Sequence, residues 1–356
     1  GHLNCLSELV EETGGIIDLD QLPVGDNTLS AKEIIGNESQ ERMGLIIPEN
    51  KYEKLKTIAD REKAPCYKVG KITNDEKFQI KSKKNNTSPI NLSLSDFFGS
   101  SPKTIMNDKT TTTKFSDKAY SVDFFENYLQ NVLSLESVAC KDWLTNKVDR
   151  CVTGKVAKQQ CVGSLQLPLN NCGVMALDFC GKNGVATSIG HAPLPALINP
   201  RAGSRLAIGK ALTNIIWAPL EKALESVTLS ANWMWPCNNP GEDARLYEAV
   251  ESCSDFAIGL GINIPTGKDS LSMKQKYKDQ EVLSPGTVII SAAANCNNIS
   301  NIIEPVFQAN NQDIYYINLA NNNFNIGGSA FSQTLGFIGS STIDSCNSSY
   351  FKKTFN

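Results

Sequence analysis

Histidine is almost missing from this chain, with His2 and His191 the two copies in 356 residues. That leaves no stock of imidazoles for a histidine-based zinc site. An excess of basic charge is also lacking. Thirty-four Lys and Arg stand against 37 Asp and Glu, a net charge of -3 and a pI near 5.6, which argues against a nucleic-acid groove with its need for a basic face. Small phosphorylated ligands stay open, because a local basic loop can serve them. None of the eleven cysteines forms a Cys-x-x-Cys pair. An odd, scattered set in a chain too long to need staples reads as reduced thiols in the cytoplasm. Cys161, Cys172 and Cys180, spaced by eleven and eight, match no compact zinc pattern. Long apolar runs are missing too, and 41% hydrophobic with 20% charged residues is an ordinary globular composition, neither fibrous nor membranous.

What is present is densest between Leu229 and Met273. From Gly241 to Leu260, the residues Leu246, Val250, Cys253, Ala257 and Leu260 give one apolar stripe, which predicts a helix. Glu242 and Asp243 suit its positive end, and Gly259 and Gly261 its exit. Val227–Ser230 reads as a strand running into a loop at Asn232-Trp233, and Thr287–Ser291 as a further strand. Gly267-Lys268-Asp269-Ser270 is expected to be a loop. It offers close backbone approach, a point charge, a cation ligand and a hydroxyl donor, the residue types that bind phosphate. The spacing is not that of a Walker A loop, and a plain strand-entry turn with surface charges is the bland alternative. Trp233, Met234 and Trp235 suit a core as well as a binding site.

Three strings in register, SANWMWP (230–236), PGEDARLYEA (240–249) and GKDSLSM (267–273), resemble the second synthase half of the phosphoribosylformylglycinamidine synthase family. The resemblance continues through NESQERM (37–43), VDRCVTGKVAKQQCVG (148–163), LPLNNCGVMALD (167–178), SIGHAP (188–193) and GKALTN (209–214), and so covers most of the chain. It implies an α+β fold of the aminoimidazole ribonucleotide synthetase superfamily, mixed sheets with helices on one face. It also implies a glutamine-dependent, ATP- and Mg2+-using ligase of purine biosynthesis that acts on formylglycinamide ribonucleotide. The glutaminase domain would be a separate partner domain of the same enzyme, with no nucleic acid and no membrane involved. No glutaminase nucleophile motif occurs here, and the chain alone is expected to lack turnover. The specific strings argue against a shorter selenophosphate or hydrogenase-maturation enzyme of the superfamily. A scaffold whose nucleotide only joins two halves is the non-enzymatic alternative.

The sequence divides, on this reading, into residues 1–103, a carboxyl-terminal-type domain of the first synthase half. A linker at 104–122 follows, then residues 123–305 as the amino-terminal-type domain of the second half, and 306–356 as the start of another carboxyl-terminal-type domain. Gly1-His2-Leu3-Asn4, with neither initiator Met nor signal peptide, and the abrupt end suggest an excised middle piece. Gly1–Val10 is expected to be helical. Ser30–Ile35 reads as a helix with Ser30 and Glu33 at capping-box spacing, Arg42–Ile47 as a strand stopping at Pro48, Glu49–Arg61 as a helix and Cys66–Ile72 as a strand. Phe124–Leu135 and Arg205–Trp217 read as helices, Val174–Phe179 as a short buried strand and Ile314–Leu319 as a strand, with a turn at Ile326–Ser329.

By the resemblance, Glu38, Ser39 and Gln40 line the ribonucleotide pocket with Ser270 nearby, while Asn170, Asn232, Gly267, Lys268 and Lys210 serve the nucleotide. Lys147–Lys155 would be a loop facing it, although paired charges before a turn are as readily a surface salt bridge. The family holds Mg2+ on an auxiliary nucleotide with an acid at each of the positions of Asn171 and Lys210, together with Asn214. Here Asn171 and Lys210 replace both acids. Fewer carboxylate oxygens and one added cation predict a reduced or absent metal cluster, with Lys210 touching phosphate directly. His191 has no triad partner in sequence and reads as an orienting residue. The catalytic residues themselves stay unassigned.

Overall fold

The structure, a computed structural model, describes residues 1–38, 41–100, 105–111, 113–145, 154–307, 312–321 and 323–356. They form two compact units, residues 1–104 and 105–356.

The first unit opens with α1 (His2–Leu9), followed by β1 (Gly15–Asp18), α2 (Ala31–Gly36), α3 (Tyr52–Arg61), β2 (Gly70–Ile72), β3 (Lys77–Ser82), β4 (Thr87–Ser93) and α4 (Leu94–Phe98). Its sheet runs β2-β1-β3-β4, with β1 parallel to β3 and the other pairs antiparallel. Val10, Ile17, Phe78, Ile80 and Leu94 fill its core. Ser30 caps α2 in a complete capping box with Glu33, as the spacing indicated. The strand expected at Arg42–Ile47 is irregular instead, with Met43 and Leu45 well exposed, and the one expected from Cys66 shortens to β2. Apolar residues make a strand only where a neighbour takes up the backbone hydrogen bonds.

The second unit holds α5 (Phe125–Ser134), α6 (Asp142–Thr145), β5 (Val156–Lys158), β6 (Cys172–Ala176), β7 (Gly184–His191), α7 (Pro193–Ile198), α8 (Pro200–Ile215) and β8 (Val227–Met234). It continues with α9 (Glu242–Leu260), β9 (Asn263–Ser270), β10 (Lys274–Lys276), β11 (Glu281–Leu283), β12 (Thr287–Cys296), α10 (Ala330–Thr334) and α11 (Ser348–Phe355). Six strands order as β5-β6-β7-β12-β8-β9, antiparallel except for the parallel pair β8-β9. Alternation along β7, β8 and β12 turns Ala186, Leu229, Ile290 and Ala292 to one face, where α8 and α9 seal them into a single core. α8 starts earlier than expected, at Pro200, because the Asn199 side chain caps it.

The stripe of α9 is also rotated from the expected one. Val250 is exposed while Ala249 is buried, since Arg245 turns inward and donates to the carbonyls of Ala196 and Leu197. The expected strand at Val174–Phe179 begins at Cys172 and ends at Ala176, leaving Phe179 82% exposed. Ile314–Leu319 is not a strand, and Ile314, Tyr315 and Tyr316 stand in solvent. The segment after it does return to the core. Phe351 meets Phe256 edge-on at 5.6 Å, and the Arg205 guanidinium binds both carboxylate oxygens of Asp344 at 2.8 and 2.6 Å.

A row across the second sheet

The string Gly267-Lys268-Asp269-Ser270 is not a loop. It completes β9, pairing Ala231 with Gly267, Asn232 with Lys268, Trp233 with Asp269 and Met234 with Ser270. An edge strand with an exposed polar sequence has no apolar alternation to announce it, which is why the sequence alone suggests a loop. Gly267 is required by the pairing, for a Cβ there would run into the Ala231 carbonyl. Side chains two apart share a face, and Lys268 Nζ donates to Ser270 Oγ at 3.0 Å. An open groove of about 620 Å³ runs along this edge, lined by Ala231, Trp233, Ile264, Gly267, Lys268 and Asp269 among others.

The register carries this row further. Ile289 of β12 lies opposite Asn232 on one side and His191 on the other. His191, Ile289, Asn232 and Lys268 therefore form one line on the open face, at the carboxyl ends of β7, β8 and β9, with roughly 5 Å between neighbours. Asn232 Oδ1 is buried there without a hydrogen-bond partner, a place where a ligand donor would repay a desolvation cost.

At the β7 end of the row stands α8. Gly190 lacks a side chain because a Cβ would lie 3.0 Å from Lys210 Cβ and closer still to the backbone of Ala207 and Ala211. The helix thus rests on the sealed side of the strand at Gly190. Asn214, one turn on, donates from Nδ2 to the Ile189 carbonyl at 2.9 Å. Asn171 is exposed just before Cys172, which pairs with Ser188, while Asn170 turns back to donate to the Gln159 carbonyl at 2.5 Å. Asn170 Oδ1 is buried and unpaired. Burial lowers the Lys210 pKa, and burial together with the Lys210 charge lowers that of His191.

These residues do not suit the divalent cation that the resemblance implies. Among the described residues, no group of three or more His, Cys, Asp or Glu is placed to hold a metal. Asn214 can offer only a neutral amide oxygen, and Lys210 brings a like charge to the spot where a cation would need carboxylate oxygens.

In the first unit, Glu38 is exposed just after the Asn37 that ends α2. A second groove of about 620 Å³ lies alongside, lined by Leu29, Ser30, Lys32, Glu33, Gly36 and Asn37. Ser39 and Gln40, and Lys147 to Thr153, lie outside the described residues.

Sequence reasoning passed over Asp108. Its Oδ1 accepts from the Gly241 N–H at 3.2 Å, at the amino end of α9, and those backbone donors pull its pKa down against the cost of burial. Thr110 reaches Glu248 Oε1 at 2.6 Å beside it. An aspartate ahead of a threonine run was the available signal, and a linker composition masked it.

The domain families that match these two units place the fold in the AIR synthase class. They are the AIR synthase related protein C-terminal domain over residues 1–83 and the FGAR-AT PurM_N-like domain over residues 140–295. PurLQS from Thermotoga maritima shares the fold, with a TM-score of 0.61 at 17% identity over 86% of this chain and 46% of that one. Phosphoribosylformylglycinamidine synthase of Dictyostelium discoideum is 38% identical over 95% of this chain and 26% of its own length. The probable chloroplastic/mitochondrial enzyme of Arabidopsis thaliana is 35% identical over 100% of this chain and 26% of its own. The chain belongs to the phosphoribosylformylglycinamidine synthase family and spans about a quarter of the length of these relatives.

Proposed function

We propose that this chain is part of an ATP-dependent carbon-nitrogen ligase that converts formylglycinamide ribonucleotide, ammonia from glutamine and ATP to formylglycinamidine ribonucleotide, ADP and phosphate. A glutaminase domain and further synthase domains of the same enzyme would be its partners, in the cytoplasm. Thermotoga maritima PurL, which shares the fold, has been solved with ATP and with FGAR. The observation that carries the reading is the row at the carboxyl ends of β7, β8 and β9. There Lys268 and Ser270 sit together and Asn232 holds an unanswered acceptor.

In this assignment Asn232, Gly267, Lys268, Asn170 and Lys210 serve the nucleotide, and Ser270 with Glu38, Ser39 and Gln40 the ribonucleotide. Lys268 supplies positive charge to phosphate oxygens, and Gly267 lets the ligand near the backbone. Mg2+, when it accompanies the nucleotide, neutralises phosphate charge and so favours phosphoryl transfer. The domain division at 1–103, 104–122, 123–305 and 306–356 belongs to the same proposal. A scaffold reading, in which a nucleotide only holds parts of the enzyme together, is favoured by Asn171 and Lys210. Titration calorimetry of the chain with ADP and with ATP tests the nucleotide assignment. Saturable binding that weakens at least tenfold in Lys268→Ala supports it, and no binding by the folded chain rejects it.

A further inference from the structure

α9 begins without a cap of its own. Its N-cap is Gly241, in the left-handed region at φ 83° and with no side chain to answer the first turn. The cap comes instead from a residue 133 positions earlier. Asp108 Oδ1 accepts from the Gly241 N–H at 3.2 Å, and the backbone N–H groups of Asp243 and Ala244 also reach its carboxylate. Those are the N2 and N3 donors that an N-cap side chain ordinarily satisfies. The neighbours of Asp108 seat the contact. Thr110 donates to Glu248 Oε1 of α9 at 2.6 Å, and Thr111 donates to the Pro240 carbonyl at 3.4 Å. Thr111 also fills the space over Gly241, where a Cβ would meet its Oγ1 at 2.1 Å. Further along, Asp117 accepts from the Ser340 N–H at 2.9 Å, Lys118 Nζ donates to the Leu335 carbonyl at 2.8 Å, and Tyr120 meets Phe331 edge-on at 5.2 Å.

The first turn of α9 is tied in its turn to the ligand-facing edge of the sheet. The Glu242 N–H donates to the Asn239 carbonyl at 3.0 Å, and Asn239 Nδ2 donates to the Pro236 carbonyl at 2.6 Å. Pro236 bridges to Ser272, while the Trp235 N–H donates to the Ser270 carbonyl at 2.9 Å. One tight turn, 235–241, thus joins the Asp108 contact to Ser270 and to the Lys268 that bonds it. We infer that residues 105–111 and 113–120 form a strap that caps α9 in trans, with Asp108 a positioning residue that holds the 235–241 turn and the Lys268–Ser270 end of β9 in the form that takes a ligand. The effect on the ligand rests on the nucleotide reading, and the effect on the turn does not. When the strap lifts, a glycine N-cap leaves the first amide donors of α9 open, and the helix start frays with the turn before it. Glu242 and Asp243 are engaged elsewhere, Glu242 with Arg245 at 3.4 Å and Asp243 with the Asn238 N–H at 2.9 Å.

Hydrogen exchange read segment by segment on the full chain tests the strap, with Asp108→Ala and the acceptor-keeping Asp108→Asn as variants. Asp108→Ala should speed exchange across 237–245 about fivefold, the size of effect a lost cap produces, and leave α8 unchanged. Trypsin should then cut faster at Lys109 and Lys114, both exposed. Asp108→Asn should return both readings toward the parent. The double variant Thr110→Ala, Thr111→Ala loosens the strap with Asp108 in place and serves if Asp108→Ala does not fold. ADP affinity, read by calorimetry, should fall about threefold in Asp108→Ala and hold in Asp108→Asn, and by linkage ADP should slow the tryptic cuts in the parent. Unchanged exchange at 237–245, or exchange that rises equally in α8, overturns the strap. Equal ADP affinity in the parent and in Asp108→Ala overturns the positioning role. If the exchange pattern appears while ADP binds neither chain, the strap and its hold on the turn stand and the nucleotide reading falls.

Discussion

The two faces of the six-stranded sheet come from the same strands and alternate residue by residue, yet they obey different rules. On the sealed face, Ala186, Leu229, Ile290 and Ala292 lie against Ile208, Ala211 and Leu212 of α8 with almost no solvent exposure. On the open face, Thr187, Ile189, Ser291 and Ala293 are exposed. The difference teaches that this sheet keeps its stability on one side and leaves the other, a mixture of polar and apolar side chains, uncovered by its own helices. A change on the sealed face should alter folding and spare ligands, and a change on the open face should do the reverse.

Truncating Leu212, which is 0% exposed in the core, tests the sealed face most severely. Leu212→Ala should cost about 3 kcal/mol through lost burial and the cavity left behind, read as a lower midpoint in urea unfolding. A loss below about 1 kcal/mol would mean that α8 does not seal the sheet as described.

Gly190→Ala probes the seam between the faces. The added Cβ has no room against Ala207, Ala211 and Lys210, so helix and strand must part. Overpacking of this kind costs about 2 kcal/mol. It should also disturb Lys210 and Asn214, so that thermal stability and the His191 chemical shift change together. A stable variant with an unmoved His191 would separate the helix seat from the row.

Lys268→Ala reverses the pattern. Lys268 is exposed and among the described residues its side chain bonds to Ser270, so the melting temperature should hold. ADP affinity should fall about tenfold, which corresponds to ~1.4 kcal/mol. A drop in melting temperature with unchanged affinity would place Lys268 in the fold instead.

How much of this was legible beforehand follows from the same contrast. The sealed face announces itself. The spacing of Cys253, Ala257 and Leu260 marked α9, and Ser30 with Glu33 marked α2, because burial and capping leave periodic traces. The open face leaves few. β9 spells Asn263-Ile264-Pro265-Thr266-Gly267-Lys268-Asp269-Ser270, polar enough to pass for a loop, and only its partner β8 makes it a strand. Arg42–Ile47 and Ile314–Leu319 show the converse, apolar runs that look like strands but lack a pairing neighbour among the described residues. Resemblance supplied the residue types of the site. The line joining His191, Asn232 and Lys268 depends on register across three strand pairs, which no single stretch of sequence contains.

Ser291→Ala makes the smallest change and the strictest test of openness. Ser291 sits mid-strand on the open face, opposite Ile189 on β7 and Ser230 on β8. Its ladder hydrogen bonds come from the backbone and survive the substitution. Its hydroxyl makes no hydrogen bond among the described residues, and the residue is exposed, so removal leaves no buried group unsatisfied. Stability should stay within about 0.5 kcal/mol of the parent, as exposed substitutions away from special features do. A larger loss in urea unfolding would mean that something covers this face in solution, and the row from His191 to Lys268 would then belong to an interior.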